Sequence, residues 1–184
     1  MPKPWELVSS AIDRSYRVFG LRTDKARSPR TGEVHEFFVL EAPSWVNVIP
    51  LTADDRVVLV RQYRHGIRAE TLEIPGGLVE KGDTPEEAAR RELREETGHE
   101  GTELTFLGAV HPNPAIQNNL CYTYLAEGVR PVGDLRQDDG EDIEVVFHSL
   151  SEIPTLIRKK EITHALVIAA FYHYFAQRKD FPKK

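Results

Sequence analysis

Apolar and polar positions alternate through much of the first half of the chain, and a helical spacing replaces that pattern after residue 84. "YRVFGLRTD" and "VHEFFVLEA" are rich in β-branched and aromatic residues and bracket the turn composition "SPRTG". Residues Ser15 to Leu40 are therefore expected to form strands joined by a turn. "WVNVIPLT" and "RVVLVRQYR" flank Ala53-Asp54-Asp55, which predicts a hairpin with a strongly apolar second strand. "TLEIPGG" reads as a short strand stopped by Pro-Gly-Gly. Further along, "TELTFLGAV", "NLCYTYLAEG" and "EVVFHSL" predict strands, the last one preceded by the acidic loop "RQDDGEDIE".

Helical signals are concentrated at three places. Thr84 is a good N-cap, Pro85 suits the first helical position, and Glu87 completes a Thr-x-x-Glu capping box. This helix is expected to run to Thr97, with Gly98 as its stop. Ser151 to Lys160 predicts a short helix, and "THALVIAAFYHYFAQ" from Thr163 an apolar closing helix. Strands flanking a mid-chain helix, with helices at the end, indicate an α+β fold: a mixed sheet with helices packed on it.

Within the mid-chain helix, "RRELREETG" places Glu92, Glu95 and Glu96 within an arc of about 100°. Like charges three and four residues apart repel by a few tenths of a kcal/mol per pair, roughly 0.2–0.5. Ala89 and Leu93 lie beside that arc, on the stripe that would pack against the sheet. The carboxylates are thus expected at the edge of the core, where half-buried like charges raise one another's pKa or recruit a cation. Hard oxygen ligands suit Mg²⁺ or Mn²⁺. From Gly76 to Glu100 there are eight acidic and four basic side chains, a local charge of −4 within a chain total of −5. Such a surface repels phosphate unless a metal bridges the two. Interspersed Glu–Arg pairs on a solvated helix are the competing explanation.

Composition narrows the class. The chain has 184 residues, 40% hydrophobic and 29% charged, which fits one domain or one domain with an appendage. No apolar run is long enough to span a bilayer, and "MPKPWELVSS" carries no apolar signal core. The single cysteine, Cys121, cannot form an intrachain disulfide, so a cytoplasmic setting is expected. Its apolar surroundings predict a buried structural thiol. The negative charge argues against nucleic acid as a partner.

The acidic helix and the loop before it resemble the Nudix box. Gly77 opens the pattern, Asp83 takes its first Glu position, Arg91, Glu92, Leu93, Glu95, Glu96 and Gly98 match, and His99 closes it. There are two departures: Asp83 is one methylene shorter than the usual Glu, and His99 replaces an aliphatic residue. The resemblance implies an α/β/α sandwich around a mixed sheet, and Mg²⁺-dependent attack of water on a diphosphate. It implies that Glu92 and Glu96 are metal ligands, that Glu95 is a ligand or support, that Arg91 orients them, and that Gly76 offers a carbonyl to the metal.

"VVLVRQYRHG" followed by "TLEIPGG" is similar to the ADP-ribose pyrophosphatase branch, in which the positions of Arg64 and Glu73 lie near substrate or metal. Leu72 and Ile74 alternate with Glu73, so it is expected to point to the opposite side from them. Pro114 in "HPNPAIQNN" also fits the branch. The Asn-Pro-Ala there departs from its usual segment, so other nucleoside diphosphate sugars, such as GDP-mannose, stay open. Asn113, Gln117, Asn118 and Asn119 either bind sugar or base or cap turns. For the catalytic base on the acidic loop, Glu141 leads, Glu144 follows, and Asp142 is third. Trp45 either stacks a nucleobase or is a core or interface residue. Trp5 is expected to anchor a terminal segment. The branch implies a homodimer, with residues 1–43 as a β-rich dimerisation extension and residues 44–184 as the catalytic domain. The rival from another class is a non-catalytic ADP-ribose sensor on the same fold.

Overall fold

A computed structural model describes residues 1–133 and 142–178. The chain divides into two compact units, one of Met1–Pro43 with His111–Leu120, the other of Ser44–Val110 with Cys121–Lys184.

The first unit carries an antiparallel three-stranded sheet: β1 (Glu6–Ser15), β2 (Gly20–Arg27) and β3 (Val34–Glu41), in that order. The sequence analysis did not anticipate β1. Its register with β2 slips between Leu7 and Ser9 and again between Ile12 and Arg14, so no clean two-residue period marks it. Both faces of this sheet expose large side chains, among them Leu7, Val8, Ile12, Phe37 and Phe38. Trp5 packs edge-on against Phe37 at 5.2 Å between ring centres, anchoring the N-terminal end. In the 111–120 segment, the Leu40 N–H donates to the Ile116 carbonyl (2.7 Å).

The second unit is built on a seven-stranded mixed sheet. Its strands are β4 (Trp45–Leu51), β5 (Arg56–Arg64), β6 (Ala69–Glu73), β7 (Gly76–Leu78), β9 (Leu104–Val110), β10 (Cys121–Glu127) and β12 (Ile143–Ser149). Two-residue strands β8 (His99–Glu100) and β11 (Arg130–Pro131) form a separate ladder. The main order is β12-β5-β4-β10-β9, and only β4 and β10 run parallel. The expected hairpin is paired only next to its turn, at Leu51 and Val57. Beyond that point β4 and β5 splay, β6 pairs with β5, and β7 pairs with β4. The run "TLEIPGG" is thereby split in two at Ile74-Pro75, where proline has no N–H to continue a ladder.

Helices cover both faces. Helix α1 (Pro85–Thr97) packs Ala88, Ala89 and Leu93 against Val46, Val48 and Val58. On the other face, α2 (Ile153–Arg158) and α3 (Ala165–Ala176) pack Ile153, Leu156, Val167 and Phe171 against Ile49, Leu59, Leu72 and Ile74. The result is the expected α/β/α sandwich. Cys121 is buried and unpaired, and burial pushes its thiol up to about 12. No described helix is long and apolar enough to cross a membrane.

Candidate active site

Helix α1 is fixed at both ends by local sequence. Glu87 N–H donates to Thr84 Oγ1 (3.2 Å), and Thr84 N–H donates to Glu87 Oε2 (2.8 Å), a complete capping box. At the far end Gly98 takes φ 67°, a left-handed turn that glycine enters without steric cost, and its N–H closes on the Arg94 carbonyl (2.8 Å). Between these ends the three glutamates separate by burial. Glu92 and Glu96 are buried beside the apolar stripe, and Glu95 is 39% exposed.

Arg91 answers their mutual repulsion. Its Nη1 donates to Glu92 Oε1 (2.7 Å) and Glu95 Oε2 (3.3 Å), and its Nη2 donates to the Leu78 carbonyl (3.0 Å). Burial works against the guanidinium charge, but Glu92, Glu80 and Glu95 outweigh it and hold its pKa above the ordinary value. Nε lies 3.7 Å from Asp83 Oδ2, and is buried with no hydrogen-bond partner among the described residues.

The Gly76-Gly77 loop lies directly against Glu92 and Glu96. The Gly76 N–H donates to Glu96 Oε2 (2.9 Å). A Cβ added at Gly77 would stand 2.5 Å from Glu92 Oε1, and one at Gly76 would collide with the Val46 carbonyl and stand 2.9 Å from Asn47 Cα. Only glycine lets the backbone come this close. Among the described residues, no three His, Cys, Asp or Glu side chains converge on one point as they stand. The donor chemistry nevertheless fits a hard divalent cation: three carboxylates on one helix edge, with a backbone pressed against two of them, Glu92 and Glu96, by two glycines.

Arg64 and Glu73 meet each other across the β5–β6 ladder. Nε and Nη2 of Arg64 donate to Oε1 and Oε2 of Glu73 (2.8 and 2.6 Å), and Thr71 Oγ1 donates to Glu73 Oε1 (2.6 Å). Burial alone would raise the Glu73 pKa. The bonds from Arg64 and Thr71, with the charge of Arg64 and of His164, overturn that and hold it below the ordinary value. Leu72 and Ile74 belong to the core under α2 and α3, so Glu73 faces the side of the sheet that carries α1.

The other candidate residues are spread more widely. Val46 packs under α1, so Trp45, half-buried at the start of β4, points to the opposite face. Glu144 pairs with Arg61 (3.1 Å), and both are largely exposed. Its neighbour Val145 packs toward α1, so Glu144 points away from the three glutamates. Asn113 and Pro114 are exposed in the first unit, where the Asn113 carbonyl accepts from Ile116 and Gln117 N–H (3.1 and 2.8 Å). Asn118 and Asn119 hold the backbone of Ala42 and Pro43. Glu141 lies outside the described residues. His99 is buried with Nδ1 2.7 Å from the Thr97 carbonyl, so the departure from an aliphatic residue is accommodated by one local bond. Two partners escaped the sequence analysis. Thr71 carries a signal, since it precedes Glu73 by one strand period. The Leu78 carbonyl is backbone and carries none.

Comparisons with known proteins add a frame. A sequence model of the NUDIX domain matches residues 42–171. An ADP-ribose pyrophosphatase of Bacillus subtilis (strain 168) is 30% identical over 152 residues, covering 82% of this chain and 82% of its own. A methanol dehydrogenase activator of Bacillus methanolicus is 30% identical over 157 residues, covering 85% and 84%. A crystal structure of an ADP compounds hydrolase matches in fold with a TM-score of 0.83, over 95% of this chain and 94% of that one, at 22% identity.

Proposed function

This chain belongs to the Nudix family and is a Nudix pyrophosphohydrolase, and from that premise we propose that it hydrolyses the pyrophosphate bond of ADP-ribose and related ADP-sugars. The products would be a nucleoside monophosphate and a sugar phosphate. The observation that carries the reading is the Arg91-centred cluster, in which Glu92 and Glu96 stand against the Gly76-Gly77 backbone and Glu95 joins through Arg91. The ADP-ribose pyrophosphatase among the similar proteins supports the substrate class.

Glu92, Glu95, Glu96 and the Gly76 carbonyl would hold divalent metal, with Mg²⁺ first and Mn²⁺ the alternative. A divalent cation at this place supplies charge neutralisation for the diphosphate and lowers the pKa of water. Arg91 bonds two of the carboxylates, Glu92 and Glu95, and cancels part of their repulsion. Arg64, 43% exposed at its end of the pair with Glu73, can turn its outer edge to a substrate phosphate. Asn113, Pro114 and Trp45 stay as proposals for contacts to the nucleoside. For the general base we propose Glu141 over Glu144, because Glu144 is paired with Arg61 on the other face of the sheet. The exposed apolar sheet of the first unit supports a homodimer, and the lone buried thiol supports a cytoplasmic setting.

The test is product release from a panel of ADP-sugars, GDP-mannose, dinucleotides and nucleoside triphosphates with Mg²⁺. ADP-ribose should lead by kcat/KM. Preference for GDP-mannose would move the substrate class, and tight ADP-ribose binding without turnover would establish the sensor.

A further inference from the structure

Asn47 is a strongly buried polar side chain that links the segment before α1 to the opposite helical layer. It is 6% exposed. On its backbone side it pairs with Gly76 in the β4–β7 ladder, and the neighbouring Val48 N–H donates to the Pro75 carbonyl (2.9 Å). Gly76 in turn holds Glu96 through its N–H. On its side-chain side Asn47 crosses to α3, where Nδ2 donates to the Leu166 carbonyl in the first helical turn (3.3 Å). Asn47 Oδ1 is buried with no partner among the described residues, and so is Nδ1 of His164, the N-cap residue of the same turn.

The two unpartnered atoms are chemically complementary. An amide oxygen can only accept, and a neutral imidazole offers either a donor or an acceptor at Nδ1. A buried acceptor left unmatched is costly, and one water between two such groups removes the cost. Burial, with Arg64 nearby, holds the His164 pKa below its ordinary value against the opposing pull of Glu73, so the ring is neutral at pH 7.

We propose that Asn47 is a positioning residue for the hydrolysis. It ties the Gly76 segment to the N-terminal turn of α3 through Leu166 directly and through His164 Nδ1 by one bridging water. The Gly76 carbonyl and the Glu96 carboxylate are then registered against a rigid helix rather than left to a three-residue strand. The device rests on the metal-dependent reading above, in which Gly76 and Glu96 face the cation.

Three variants and two readouts test it. Asn47→Leu keeps the volume and removes both polar ends. It should lower kcat by about 10-fold or more while the substrate KM moves by less than about threefold, and weaken Mn²⁺ binding measured by its paramagnetic resonance signal. His164→Ala should do the same, and His164→Asn, whose amide nitrogen stands where Nδ1 stands, should restore wild-type values. Unchanged kcat and Mn²⁺ binding in Asn47→Leu overturns the proposal. Should Asn47→Leu fail to fold, the His164→Ala and His164→Asn pair decides alone, with equal values in the two counting against it. Wild-type inactivity across the diphosphate panel would sink the substrate reading, while Mn²⁺ binding in the three variants would still decide this one.

Discussion

Arg91 stops short of Asp83: the guanidinium Nε lies 3.7 Å from Oδ2, an ion pair without a hydrogen bond. The same guanidinium is well placed at its other two nitrogens, so the gap comes from the acidic partner and not from Arg91. One methylene, about 1.5 Å of reach, separates Asp from Glu at this position.

Asp83→Glu should therefore close the contact. Supplying a partner to a buried donor is worth about 1 kcal/mol, which in a chain of this length raises Tm by about 2–4 °C. Differential scanning calorimetry reads the shift directly. An unchanged or lower Tm would mean that water already satisfies Nε.

Metal removal is the second expectation. EDTA should abolish turnover, and Mg²⁺ or Mn²⁺ should restore it. Glu92→Gln keeps an oxygen for Arg91 but removes one charge from the buried edge of α1, so the metal needed for half-maximal rate should rise by at least about 10-fold. Full activity in chelator would remove the metal mechanism.

These residues also show how much the sequence discloses. The capping box, the Gly98 stop and the glutamate arc all follow from spacing along one helix, and the structure places each as expected. Glu73 was readable as facing away from Leu72 and Ile74, because strand alternation is local. Its bidentate partner Arg64 was not readable, since the pairing depends on how β6 lies on β5. Strand β1 was missed because two register slips hide its period. The splitting of "TLEIPGG" into β6 and β7 arises from β4 and β5 splaying apart, which no local pattern encodes. Asn47 was passed over for the same reason: it meets the Leu166 carbonyl only through the packing of α3 on the sheet.

The pair of Arg64 and Glu73 predicts a pH dependence. The Glu73 carboxyl titrates below its ordinary value of 4.5 in the folded chain, so the folded state binds fewer protons there than the unfolded one. The stability it contributes is complete above that ordinary value and disappears as pH falls through the folded one. Glu73 is 3% exposed while Arg64 is 43% exposed, so solvent screens one end. A contribution of about 1–3 kcal/mol at neutral pH is reasonable. Urea unfolding of Glu73→Gln from about pH 7 to about pH 3 should start lower than wild type and lose less on acidification. Parallel curves for the two proteins would contradict this.

The homodimer has its own test. Leu7, Ile12 and Phe38 are 60%, 51% and 59% exposed on the sheet of the first unit, and exposed apolar patches of this kind mark association surfaces. Light scattering should report twice the 20.9 kDa chain mass. Phe38→Glu should shift the population toward monomer by placing a charge in the contact. A monomeric wild type at micromolar concentration would leave the patch without this explanation.

The identity of the base separates two loop carboxylates. Glu144 is two-thirds exposed and bound to Arg61, an exposed pair worth at most about 1 kcal/mol. It also points to the sheet face opposite α1. Glu144→Gln should therefore leave kcat, metal midpoint and Tm near wild type. Glu141→Gln should lower kcat by about 10²–10⁴-fold, the usual contribution of a general base, while the metal midpoint stays in place. That contrast also separates a base from a ligand, since Glu92→Gln shifts the midpoint and Glu141→Gln lowers only the plateau. If Glu144→Gln loses the rate and Glu141→Gln keeps it, Arg61 must release its partner during turnover, and the face assignment made from Val145 is wrong for the active state. If neither matters, Glu95 becomes the base, being the most exposed of the three glutamates and held by Arg91 at its longer contact of 3.3 Å. Circular dichroism on each variant keeps loss of fold from passing as loss of chemistry.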